Sequence, residues 1–181
     1  LIISFRNPKS LVIGFEKNQN HFDLANKSKE ENGLSNLEFF QKDVCKLEDN
    51  YISYFDLIFT NPPFFFEDKV ITSKNKSIYD AKYISKEKAK KWIENMIKYL
   101  KIDGRAYLIN RYENLNFMLD LLKKNKCHVS IRPLSSFKGS LPKNVLLCIN
   151  KNENYVEKKE NEIIIHTNSS EYSKDIKNWF K

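Results

Sequence analysis

Apolar positions in this chain fall into short continuous runs separated by stretches with helical spacing. Leu11 to Phe15 is such a run, closed by Glu16, and it predicts a buried parallel strand. His21 to Glu31 reads as a helix with Phe22, Leu24 and Ala25 on its apolar side and Asn32-Gly33 as its stop. Leu37 to Phe40 is a second strand ending near Asp43, and Phe55 to Thr60 a third, running directly into Asn61-Pro62-Pro63-Phe64. Residues 65 to 83 have no clean period and many lysines, which predicts a loop. Ala89, Trp92, Ile93, Met96, Ile97 and Leu100 are spaced as one helix face. Asp103-Gly104 is its expected end and Arg105 to Asn110 a fourth strand. Leu115, Met118, Leu119 and Leu122 mark another helix, and Val129 to Pro133 and Val145 to Ile149 two more strands. After a charged stretch (151 to 162), "EIIIH" reads as a short strand and Tyr172 to Phe180 as a final helix.

Strands alternating with helices, then two strands close together, predict an open α/β sheet with an antiparallel finish. At 181 residues the expected organisation is one domain spanning 1–181. Hydrophobic content of 41%, 13% of residues being aromatic, is that of a globular chain and excludes a disordered one. No apolar run is as long as a helical membrane span and no ordinary signal peptide opens the sequence, so the expectation is a soluble, cytoplasmic protein. Cys45, Cys127 and Cys148 are odd in number and widely spaced. They read as reduced structural thiols, with no metal site expected. A net charge of +8 suits a polyanionic partner such as nucleic acid, although lysine is spread along the whole chain.

In an open α/β sheet, ligands bind outside the carboxyl ends of the strands. Three predicted ends carry polar residues: Glu16, Asp43 and Asn61. An acid closing one strand suits ribose hydroxyls, and an acid two strands along suits an adenine amino group. Strand ends are also commonly acidic for capping and solubility, so their order and spacing count for more than either alone.

Asn61-Pro62-Pro63-Phe64 is the sharper signal. Proline has no N–H, fixes its own φ and restricts the residue before it. A planar exocyclic amine is a poor nucleophile because its lone pair is delocalised into the ring. Two acceptors on its N–H groups, the Asn61 side-chain carbonyl and the Pro62 backbone carbonyl, favour the change toward tetrahedral nitrogen. The prolines hold those acceptors in place beforehand, and Phe64 can stack on the base. Neither an acid–base pair nor a metal is needed. A bland alternative is a strand-ending turn with a hydrophobic anchor.

With these motifs the chain resembles class I S-adenosylmethionine-dependent methyltransferases of the N-methylating type, on "LVIGFE", "FFQKDV" and "FDLIFTNPPF". More narrowly it is similar to the bacterial tRNA1(Val) (adenosine-37-N6)-methyltransferase group, on "WIENMIKYLKIDGRAYLINR", "HVSIRPL", "NVLLCIN" and "EIIIH". The resemblance implies a Rossmann-like sheet, S-adenosyl-L-methionine as cofactor and tRNA as partner. It makes Glu16 the ribose ligand and Asp43 the adenine ligand, with the Val44 backbone N–H beside it. Asn61, Pro62, Pro63 and Phe64 grip the target amine, and Asn61 also borders the cofactor.

The family's first, central strand and its glycine-rich loop fall before Leu1, and Leu1 to Asn7 corresponds to the tail of the following helix. The expectation is therefore an N-terminally truncated sequence that binds the cofactor weakly and is poorly stable alone. Other acceptors stay open, namely a release-factor glutamine or an rRNA guanine, as does an inactive remnant that at most binds RNA. Phe65 and Phe66 extend the base clamp or plug the core. Lys69, Lys74, Lys76, Lys82, Lys86, Lys88, Lys90 and Lys91, and more weakly Lys138 and Lys143, suit an RNA backbone or plain solvation. His21, His128 and His166 share no spacing and read as ordinary histidines, and Trp92 as packing.

Overall fold

The computed structural model describes residues 1–66, 79, 82–151, 154–169 and 171–179. The chain divides into two compact units, Leu1–Asp49 and Asn50–Lys181.

In the first unit, helix α1 (Ile2–Arg6) leads to strand β1 (Val12–Phe15), helix α2 (Gln19–Glu31) and strand β2 (Leu37–Phe40). β1 and β2 pair in parallel, Val12 opposite Leu37 and Phe15 opposite Phe40. The Asn18 side chain caps α2 by accepting the His21 N–H. The helix ends as its sequence predicts. Gly33 takes φ +60°, its N–H bonds Glu30 O, and the next N–H, of Leu34, bonds Lys29 O. The expected burial is lighter than predicted: β1 is half-buried and Leu24 is exposed. Gly14 makes room for Phe39, its partner across the pair: a Cβ there would lie 2.5 Å from the ring's Cδ1, so the ring would have to shift.

The second unit is built on a six-stranded mixed sheet. Its strands are β3 (Phe55–Thr60), β6 (Leu100–Arg111), β7 (Cys127–Ser135), β8 (Asn144–Lys151), β9 (Val156–Lys159) and β10 (Ile163–Ile164). The order is β10-β7-β8-β6-β3, with β9 on the same edge of β7 as β10. β3 and β6 are parallel, whereas β8 runs antiparallel to both β6 and β7, the antiparallel finish that the close pair of strands predicted. Helices α3 (Lys86–Tyr99) and α4 (Leu115–Lys124) supply the apolar faces that cover the sheet. Ile93, Met96, Ile97, Met118, Leu121 and Leu122 pack with Ala106, Leu108, Val129, Ile131, Val145, Leu147 and Ile149. Two-residue strands β4 (Phe65–Phe66) and β5 (Tyr83–Ile84) pair in parallel, and β11 (His166–Asn168) and β12 (Glu171–Tyr172) antiparallel, before helix α5 (Lys174–Trp179).

Four sequence expectations need correction. α3 stops at Tyr99, and Asp103-Gly104 lies inside β6, because fully buried Leu100 turns the backbone extended. Gly104 instead permits a close approach: a Cβ there would meet Leu100 Cδ1 at 2.8 Å and the Asp56 carbonyl at 3.0 Å. The stretch 65 to 83 begins and ends in β4 and β5, strands too short to leave a period, and residues 67–78, 80 and 81 lie outside the described residues. The charged stretch after 151 contains β9, whose four residues are all exposed; charge on an outer strand discourages further pairing. Tyr172 belongs to β12, stacked on His166, so the last helix begins at Lys174, and Phe180 lies outside the described residues.

Candidate active site

Glu16 and Asp43 lie in the first unit, just past the carboxyl ends of two adjacent parallel strands. Their positions follow from the ladder, which the Glu16 N–H extends by bonding Phe40 O at 3.1 Å. Each carboxylate is oriented locally. Glu16 Oε1 accepts the Asn18 N–H at 2.7 Å, and Asp43 Oδ1 accepts the Cys45 N–H at 2.8 Å, capping the 3-10 turn Val44–Lys46. Val44 is the first residue of that turn. Both acids are half-buried. Two acceptors with one oxygen engaged by backbone and one directed elsewhere suit the hydroxyls of a ribose and the amino group of an adenine.

In the second unit, Asn61 to Phe64 leave the carboxyl end of β3. Asn61 is exposed, Pro62 buried, and Pro63 and Phe64 half-buried. Parallel pairing with β6, Thr60 opposite Leu108, sets the turn beside the end of β6. Behind it is a cavity of about 20 Å³, lined by Pro62, Pro63, Phe66, Ile93, Asn110, Asn114 and neighbours. That is room for about one water molecule.

The turn is tied at both ends by residues that sequence reasoning missed. Trp92 Nε1–H donates to Thr60 Oγ1 at 2.8 Å, and Asn114 Nδ2–H donates to the Phe64 carbonyl at 2.8 Å. Asn114 also donates to Asn110 Oδ1 at 2.7 Å, an oxygen that accepts the Arg111 N–H as well. Asn110 and Asn114 are 5% and 7% exposed. The available signal was slight: two asparagines four apart, Asn110 at the end of an apolar strand run and Asn114 just before an apolar helix face. Trp92, expected to pack, also donates a hydrogen bond.

Phe65 packs on Tyr83 and under the Arg111 guanidinium (5.9 Å), and Phe66 packs on Phe117 with the Lys86 ammonium 5.5 Å from its ring. Lys82, Lys86, Lys88, Lys90, Lys91, Lys138 and Lys143 are exposed, and Lys69, Lys74 and Lys76 lie outside the described residues. His21 is exposed, and His128 and His166 are half-buried in separate strands. Cys127 is buried and its thiol is pushed up to about 11 by desolvation, as befits an unreactive core thiol. Among the described residues no cluster of three metal-ligating side chains is present, and no helix is long and apolar enough to cross a membrane.

The chain has the Rossmann-like α/β fold of the class I methyltransferases. A solved structure from Agrobacterium tumefaciens, described as a predicted O-methyltransferase, matches 97% of this chain and 79% of its own at TM-score 0.74 and 14% identity. An rRNA methylase from Streptococcus thermophilus matches 83% of this chain and 80% of its own at TM-score 0.55 and 14% identity. Among curated proteins, the chain is similar to the tRNA1(Val) (adenine(37)-N6)-methyltransferase of Histophilus somni (strain 2336), 24% identical over 144 residues. That alignment covers 78% of this chain and 57% of the relative, so the match spans little more than half the relative's length. No family model matches the chain.

Proposed function

We propose that this chain serves an S-adenosyl-L-methionine-dependent N-methyltransferase that modifies the exocyclic N6 amine of an adenine in tRNA. The observation that carries the reading is the Asn61–Phe64 turn: an exposed Asn61 beside a buried Pro62, at the carboxyl end of a strand in a methyltransferase fold. The Asn61 side-chain carbonyl and the Pro62 carbonyl accept the two N–H groups of the amine and favour a pyramidal nitrogen whose lone pair leaves the ring. Phe64 holds the base by stacking. Glu16 and Asp43 hold the adenosyl part of the cofactor, with the Val44 N–H beside them, and their fixed carboxylates fit that role. When bound, the cofactor supplies an electrophilic methyl group. The tRNA assignment is supported by the activity in the curated relative's name and by the +8 charge.

The test is methyl transfer by the complete gene product, using tritiated S-adenosylmethionine and tRNA from cells lacking the gene. The expected product is N6-methyladenosine by mass spectrometry of the nucleosides. Asn61→Ala should lower kcat by about 10²–10³, the scale of losing one transition-state hydrogen bond, with cofactor Kd within a few-fold. Near-normal turnover in that variant would overturn the assignment.

A second reading keeps the turn and changes the acceptor to an rRNA guanine or a release-factor glutamine, since all present planar N–H₂ groups. The likeness to an rRNA methylase favours including ribosomes and release factors in the same assay. Label in those fractions and none in tRNA would select it.

A further inference from the structure

We propose that Trp92, Asn110 and Asn114 are positioning residues for the methyl-accepting turn, fixing both its ends so that the carbonyls of Asn61 and Pro62 are aimed before an amine arrives. The inference rests on the reading of that turn given above. A turn of two consecutive prolines lacks two backbone donors and cannot brace itself as an ordinary turn does. Its Asn61 and Pro62 carbonyls must also be kept for substrate. Rigidity therefore has to come from side chains acting on the residues that flank those two carbonyls.

The structure supplies such side chains on both sides. Thr60, immediately before Asn61, is held by the Trp92 indole at 2.8 Å. The Phe64 carbonyl is held by Asn114 at 2.8 Å, and Asn114 is itself oriented by Asn110 at 2.7 Å. The holding groups sit on the elements that wall the core: Trp92 on α3, Asn110 near the end of β6, Asn114 at the cap of α4. Two asparagines this deeply buried carry a desolvation cost that an apolar pair would avoid. Fixing the turn gives that cost a purpose. The cavity behind Pro62 and Pro63 holds about one water, so the turn has little room to sag inward. Displacing reacting groups by about 1 Å costs about a hundredfold in rate, which makes such bracing worthwhile.

The experiment uses the complete gene product with tRNA and S-adenosylmethionine. Thr60→Val removes one partner of the first tether while keeping its shape, Trp92→Phe removes the other partner and part of the indole's bulk, and Thr60→Ser retains the hydroxyl. Expected results are a fall of about tenfold in kcat for Thr60→Val and for Trp92→Phe, with the double variant no slower than either, because both remove the same bond. Thr60→Ser should return to near wild-type kcat, while cofactor Kd and tRNA KM stay within about twofold. Asn114→Asp, whose carboxylate cannot donate to the Phe64 carbonyl, should lose about a hundredfold. If that variant does not fold, the Thr60–Trp92 cycle still decides.

A readout independent of activity is solvent exchange of the Trp92 indole N–H by NMR, assigned with Trp92→Phe because the chain has two tryptophans. It should be slow in the wild type and fast in Thr60→Val. Wild-type kcat in both single variants, or additive losses in the double, would overturn the positioning role. Unchanged indole exchange in Thr60→Val would overturn its geometry. Absence of methyl transfer by the wild type to any amine acceptor would instead overturn the proposed function, with indole exchange still judging the tether.

Discussion

In the unit Asn50–Lys181, Leu100, Leu108, Leu122, Val129, Val145, Leu147 and Ile149 are shut off from solvent; in Leu1–Asp49, among the described residues, only Leu37 and Ser4 are. The first unit is held by polar ties. Asn36 Oδ1 accepts the Ser4 hydroxyl at 2.6 Å, and its amide donates to the carbonyls of Ser4, Asn7 and Ser10, so one side chain joins α1 and the following turn to the start of β2. The second unit surrounds its turn with packed helices and strands. The difference matches what each set of residues is asked to do. A carboxylate that meets a hydroxyl or amino group needs only a local cap to orient it, which Asn18 and Cys45 provide. Two carbonyls that must match a transition state need a frame that does not yield, and such a frame needs a close-packed core.

Native-state hydrogen exchange gives the largest expected contrast. Amides of β6, β7 and β8 should exchange near the global unfolding limit, and those of β1 and β2 faster by about a hundredfold or more. Equal protection would show that burial is a poor guide to local stability here. Leu147→Ala in the core should cost about 2–5 kcal/mol by the lost burial and the cavity left behind. Chemical denaturation followed by the signals of β8 checks it, and a loss under 1 kcal/mol would mean a loosely packed core.

Asn36→Ala should cost about 1–3 kcal/mol in the stability of the first unit, by leaving the buried Ser4 without its partner. Amide exchange across α1 reads this, and unchanged protection would remove Asn36 as the unit's tie. Glu16→Ala and Asp43→Ala should each weaken S-adenosylmethionine binding by about 1–3 kcal/mol in the complete gene product, measured by calorimetry. Unchanged affinity in both would reduce these acids to helix and turn caps. The smallest effect concerns thiols: at pH 8 half-buried Cys45 and Cys148 should alkylate, while Cys127, raised to about 11, should react only on unfolding. Early modification of Cys127 would show the sheet of the second unit opening locally.

The local pattern alone determined most elements. β3 lies where the Phe55–Thr60 run predicts, α2 ends at Asn32-Gly33, and β2 at Phe40, because apolar periodicity, helix stops and proline chemistry act over a few residues. The sequence likewise placed Glu16, Asp43 and Asn61 at strand ends. Tertiary structure decided the rest. Gly104, which reads locally as a helix stop, lies in a strand because β6 pairs with β3 on one side and β8 on the other, and the space a Cβ would need is taken by Leu100 and the Asp56 carbonyl. β9 forms from a charged stretch because the outer edge of β7 offers it unpaired backbone groups, which no periodicity in Val156–Lys159 announces. The tethers of the turn span 32 residues from Thr60 to Trp92 and 50 from Phe64 to Asn114. Hydrogen bonds between groups so distant in sequence leave no local pattern; they exist only once the packing of α3, α4 and β6 has brought their donors to the two ends of Asn61–Phe64.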